Sequence, residues 1–82
     1  MTVDARMTEL EEFAKGHINI WDLVAADGRK FLFRWVFDAS CVVVVTLTPT
    51  QFIALTTDGL CKSAGTDPKK VLTVIEQYFQ DH

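Results

Sequence analysis

The sequence predicts an α+β fold: an N-terminal helix, an antiparallel β-meander of three to five strands, and a C-terminal helix packed on one sheet face. Three features carry this expectation. Residues 30–38 alternate strictly, with Phe31, Phe33, Trp35 and Phe37 on one side, the period-two signature of a half-buried strand. Short β-prone runs are punctuated by Asp27-Gly28 and Asp58-Gly59, dipeptides that favour tight hairpin turns. Helical patterns bracket these runs, and the connections are short enough to suit hairpins rather than parallel crossovers.

The first element reads as a helix ending at Gly16. Thr8 and Glu11 have the spacing of a capping box, with a start as early as Asp4 as the longer alternative. Leu10, Phe13 and Ala14 share one face, with Met7 a turn earlier. Glu9, Glu11 and Glu12 suit the positive end of the helix dipole, Lys15 suits the negative end, and Gly16 suits a left-handed stop.

A hairpin follows, Ile18–Val24 and Lys30–Phe37, turning at Asp27-Gly28. The third strand spans Cys41–Leu47. Its four consecutive valines are apolar on both faces, as in a strand central to a sheet or covered on both sides. Residues 48–63 read two ways. Thr48-Pro49-Thr50-Gln51 resembles a helix start, whereas Phe52–Thr57, Asp58-Gly59 and Leu60–Ser63 read as a strand hairpin, which is the preferred reading. The final helix is capped by Asp67 with Pro68 in its first turn, and its apolar stripe runs from Val71 to Phe79.

With 82 residues, the chain is read as a single domain over 1–82. Almost half its residues (49%) are apolar, including six Phe, two Trp and one Tyr, which compensates for the limited burial open to a small chain. The net charge of −3 disfavours nucleic acid as a partner, because a basic footprint supplies most of that affinity. Up to Asp27, six acids outnumber Arg6 and Lys15, whereas five acids and six bases follow. Two cysteines are too few for a disulfide framework, the first residues do not read as a secretion signal, and no apolar run approaches a membrane span. The expected location is the cytoplasm, with no membrane association.

Each candidate site also has an ordinary structural role. The four aromatics of residues 31–37 are read as core, because their alternation points Lys30 and Arg34 the other way. Lys30, Arg34 and Asp38, interleaved with Leu32 and Val36, make the opposite face the first candidate for a contact surface. Trp21, with Leu23 beside it, is a candidate anchor if Ile18, Ile20 and Val24 face the core. The partner-binding set is therefore Trp21, Lys30, Leu32, Arg34 and Val36. His17, Cys41, Cys61 and His82 are the right types for zinc but lack short paired spacings, so no metal is expected. Without a glycine-rich phosphate loop or nucleophile motif, no cofactor and no catalysis are expected.

The resulting expectation is a small non-catalytic protein-binding or regulatory module, such as an adaptor or inhibitor of bacterial or phage type. Its partner is another protein or a second copy of itself. A structural homodimer or larger assembly is the first alternative, and a small ligand-binding protein or enzyme using Cys61 or His17 the second.

Overall fold

The β-prone runs fold into one five-stranded antiparallel sheet, seen in a computed structural model that describes residues 3–16 and 20–81. In chain order the elements are α1 (Val3–Gly16), β1 (Trp21–Asp27), β2 (Lys30–Trp35), β3 (Val42–Leu47), β4 (Phe52–Thr56), β5 (Lys62–Gly65) and α2 (Pro68–Asp81). The strands lie in the sheet in the same order, β1-β2-β3-β4-β5. The expected meander is present with its full complement of strands, and β3, with valines on both faces, is its central strand.

The turns show how local chemistry sets the register. Asp27 pairs with Lys30, leaving Gly28 and Arg29 as a two-residue loop in which Gly28 has a φ of 59°. A primed hairpin turn needs such a positive φ, which glycine takes without a steric penalty. At the β4–β5 turn Gly59 has a φ of 76°, its N–H donates to the Thr56 carbonyl, and Asp58 Oδ1 accepts from Leu60 N–H at 2.9 Å.

Between β3 and β4, the Thr48 hydroxyl accepts the N–H of Gln51 at 2.9 Å, as a helix cap would. Thr48 N–H, however, donates to the Gln51 carbonyl at 3.0 Å, which closes a hairpin, and Phe52 enters β4. The cap-like chemistry of this segment thus serves a turn, and the hairpin reading of residues 48–63 holds.

Alternation divides each strand between two faces. Phe31 and Phe33 of β2, Val43 and Val45 of β3, and Phe52 and Ala54 of β4 are buried on one side. Both helices cover that side. Leu10 and Phe13 of α1 and Val71, Leu72, Ile75 and Phe79 of α2 join the same hydrophobic cluster. Helix α2 starts as expected, with Asp67 Oδ1 accepting the N–H of Lys69 at 3.0 Å and Pro68 at the first helical position. It is tied to the sheet by the Trp35 indole N–H, which donates to Glu76 Oε2 at 3.2 Å, and by Phe79, whose ring lies 5.7 Å from Trp35 and 6.1 Å from Trp21.

Four expectations need correction. Helix α1 starts at Val3, so Thr8 lies inside it and the Thr8–Glu11 pair is not its cap. Gly16 ends the helix without a positive φ, which among the described residues is confined to Gly28 and Gly59. Strand β2 stops at Trp35 because the chain turns there, with Asp38 N–H donating to the Trp35 carbonyl, and Phe37 is left 68% exposed rather than in the core. Val74 is likewise exposed, on the flank of the α2 stripe. Ile18 and Asn19, assigned above to the first strand, lie outside the described residues, and β1 begins at Trp21.

The core assignment makes a quantitative prediction. Phe33→Ala and Phe52→Ala, each removing a fully buried ring, should each cost roughly 3–5 kcal/mol of stability. Leu60→Ala, at a site that is 78% exposed, should change it by under about 0.5 kcal/mol. Urea denaturation of the three variants checks the ordering.

Candidate functional site

With both helices on one side, the other face of the sheet is open. Cross-strand register fixes its composition. In one row Ala25, Leu32, Val44, Leu55 and Lys62 lie side by side across all five strands. A neighbouring row runs Asp27, Lys30, Thr46, Ile53 and Ala64, and on the other flank Asp22, Arg34 and Val42 align. The middle of the face, on β3 and β4, is uncharged, with Val42, Val44 and Ile53 half-buried and Leu55 42% exposed. Charge is confined to the flanking strands: Asp22 and Asp27 on β1, Lys30 and Arg34 on β2, Lys62 on β5.

Of the residues named from sequence, Lys30, Leu32 and Arg34 lie on this face. Val36 is exposed, follows the end of β2, and shares a shallow depression with Asp22, Arg34, Trp35 and Ala39. Trp21 does not belong with them. It is only 3% exposed, pairs with Trp35 across β1 and β2, and packs against Phe79 in the core. The expectation that it could stand out as an anchor is corrected, because α2 covers the side on which Trp21 lies. Leu23 is opposite Phe33 in the register but is 39% exposed beside a bulge at Val24.

Arg34 is held by Asp22, its Nη2 donating to Oδ2 at 2.8 Å. With the two side chains about half exposed, this ion pair orients the guanidinium more than it stabilises the fold. Single-sequence reading missed the contribution of Val42, Val44, Ile53 and Leu55. The signal was present in the two-sided valine run, but which side the helices leave open depends on tertiary packing.

A second polar cluster, not foreseen, lies where β3, the β4–β5 turn and α2 meet. Tyr78 donates its hydroxyl to Asp58 Oδ2 at 2.8 Å, and Asp58 Oδ1 accepts from the Thr56 hydroxyl. Nearby, Asp38 Oδ1 accepts from both the N–H (3.0 Å) and the hydroxyl (2.7 Å) of Ser40, which hold the carboxyl below its ordinary pKa. The Cys41 thiol beside it is pushed up, first by burial and then by the Asp38 charge. A nucleophilic cysteine needs the opposite shift.

Cys61 is half-buried against the core, its N–H donating to the Thr56 hydroxyl at 3.1 Å. His17 and His82, the other residues considered for catalysis or zinc, lie outside the described residues. Among the described residues, no group of three or more His, Cys, Asp or Glu is placed to hold a metal, and no helix is long and apolar enough to cross a membrane. Comparison of the chain with protein-family models, curated proteins and solved structures finds no match.

Tyr78, the sole tyrosine, permits a direct test of the α2–turn contact. Its hydrogen bond to Asp58 pushes its pKa above the ordinary 10.0. A raised folded-state pKa means that the associated stability is present below the unfolded value and is lost as pH rises through the folded value. Ultraviolet titration should therefore show a phenolate midpoint above the ordinary tyrosine value. In Asp58→Asn the midpoint should fall toward the ordinary value, and the alkaline loss of stability attributable to this group should shrink with it.

Proposed function

We propose that the chain is a small non-catalytic protein-binding module, of adaptor or inhibitor type, and that the open sheet face is its contact surface. One observation carries the reading: α1 and α2 both cover the aromatic side, leaving a face whose central strands bear no charge. An uncharged centre within a charged margin is the composition of a protein contact, where apolar groups are desolvated and the rim sets orientation. Leu32, Val44 and Leu55 form the centre, and Lys30 and Arg34 belong to the margin.

The surroundings of the Cys41 thiol support a binding rather than a catalytic role. Burial and the Asp38 charge push the Cys41 pKa up, the opposite of the shift that activates a nucleophilic cysteine. Cys41 and Cys61 are both free, which suits a reducing compartment, and on that ground we assign the module to the cytoplasm.

The reading is tested by immobilising the protein, exposing it to lysate of its native host, and comparing variants of the two sides. Leu32→Glu and Leu55→Glu should each reduce the retained partner roughly tenfold or more, as expected for charges introduced into an apolar contact centre. Val74→Glu, at an exposed position on α2, should leave retention unchanged, with circular dichroism confirming that all three variants fold. Retention that survives both sheet variants but is lost in Val74→Glu would transfer the contact surface to the helical side.

A further inference from the structure

We infer that the occupant of the open face is a second copy of this chain, packed sheet on sheet about a two-fold axis running along β3. The inference rests on the preceding assignment of this face as a contact surface. Three observations select the second copy.

The first is the shape of the face. It is a five-stranded surface, and half-buried β-branched residues (Val42, Val44 and Ile53) occupy its centre. Such surfaces pack on other sheets, with side chains meeting across about 10 Å. Five strands about 4.8 Å apart and five or so residues long make a face of roughly 20 by 18 Å. Two copies present about 720 Å² of flat face, which the relief of the side chains raises toward the roughly 1,000 Å² that a specific interface needs at minimum.

The second is the distribution of charge. Acids lie on β1, as Asp22, ion-paired to Arg34 of β2, and Asp27, the cross-strand partner of Lys30, and a lone base lies on the opposite margin, Lys62 on β5. A two-fold axis parallel to the strands lays β1 of one copy over β5 of the other. Lys62 of each copy then comes between the rows that hold Asp22 and Asp27 of its neighbour. The alternative axis, across the strands, would set β1 on β1 and β2 on β2, opposing acid to acid and base to base. The strand-parallel axis is thus the one that opposes no like charges strand on strand. It also places the uncharged β3 row at the centre, with Val44 close to its own counterpart.

The third is the state of the edges. Edge-to-edge strand addition is the other way for two sheets to associate, and both edges oppose it. Strand β1 carries a bulge between Leu23 and Ala25, and β5 is only four residues long. Bulged and short edge strands are poor templates for pairing.

The test uses the purified chain alone, so it is independent of the lysate experiment. Sedimentation equilibrium over a range of concentrations should give a species of twice the 9.3 kDa chain mass. Val44→Lys sets two ammonium groups together near the axis and should weaken the dimer roughly tenfold or more. Lys62→Glu should weaken it by about threefold to tenfold, and adding Asp27→Lys should recover most of that loss, because the margin charges are exchanged rather than removed. Circular dichroism verifies that each variant is folded.

A chain that stays monomeric at every concentration overturns the second copy as occupant, while leaving the contact-face assignment to be judged by the capture experiment. A dimer that is indifferent to Val44→Lys overturns the proposed packing. Failure of the exchanged pair to recover over Lys62→Glu alone overturns the strand-parallel axis.

Discussion

Burial of one aromatic sheet face is the constraint from which the rest of this molecule follows. Phe31 and Phe33 on β2 and Phe52 on β4 lie on the same side, and each ring contributes on the order of 1.5–3 kcal/mol only when water is excluded from it. Among the described residues two helices of 14 residues do this, and both lie on that side. An open, largely apolar face on β3 and β4 is therefore not an isolated surface feature but the complement of how the core was built.

The helix cover is fixed most firmly at one end. Phe79 lies against both Trp21 and Trp35, which are themselves cross-strand partners, and Glu76 accepts from the Trp35 indole a turn earlier. A paired polar handle on this half-buried aromatic reduces the desolvation penalty that a lone indole N–H would impose. Tyr78 adds a tie from the same helical turn to the β4–β5 hairpin through Asp58. Helix position, sheet register and turn geometry thus converge on four residues of α2, Glu76 and Tyr78 by hydrogen bonds and Ile75 and Phe79 by apolar packing.

Much of the fold was legible because it is written in short-range patterns. The alternation of residues 30–35, the Asp67-Pro68 helix start and glycines at the two tight turns each specify local structure without reference to distant residues. The errors occurred where tertiary packing decides. Thr8 and Glu11 form a good capping pair in isolation, yet the helix extends past them to Val3. Phe37 continues the alternation of β2, but the Asp38–Ser40 turn carries it out of the sheet and into an edge contact with Trp35. Trp21 posed the reverse problem. Its strand is apolar on both sides, so the sequence alone did not decide which side would meet the helices, and the structure places it in the core. The outer face was half legible for the same reason. Lys30, Leu32 and Arg34 follow from one strand, whereas Val42, Val44, Ile53 and Leu55 join them only through cross-strand register.

The meander order has a consequence for the way the molecule assembles. Each strand pairs with the one synthesised just before it, so the sheet can be laid down hairpin by hairpin with little loop-closure cost. Its principal lid, however, is α2, which follows every strand in the chain. A growing polypeptide therefore has only α1 to cover its inner side until that helix emerges, while the other side stays uncovered in the finished chain. Translation order leaves a window in which both could stick indiscriminately, and the emergence of α2 is the event that closes one of them.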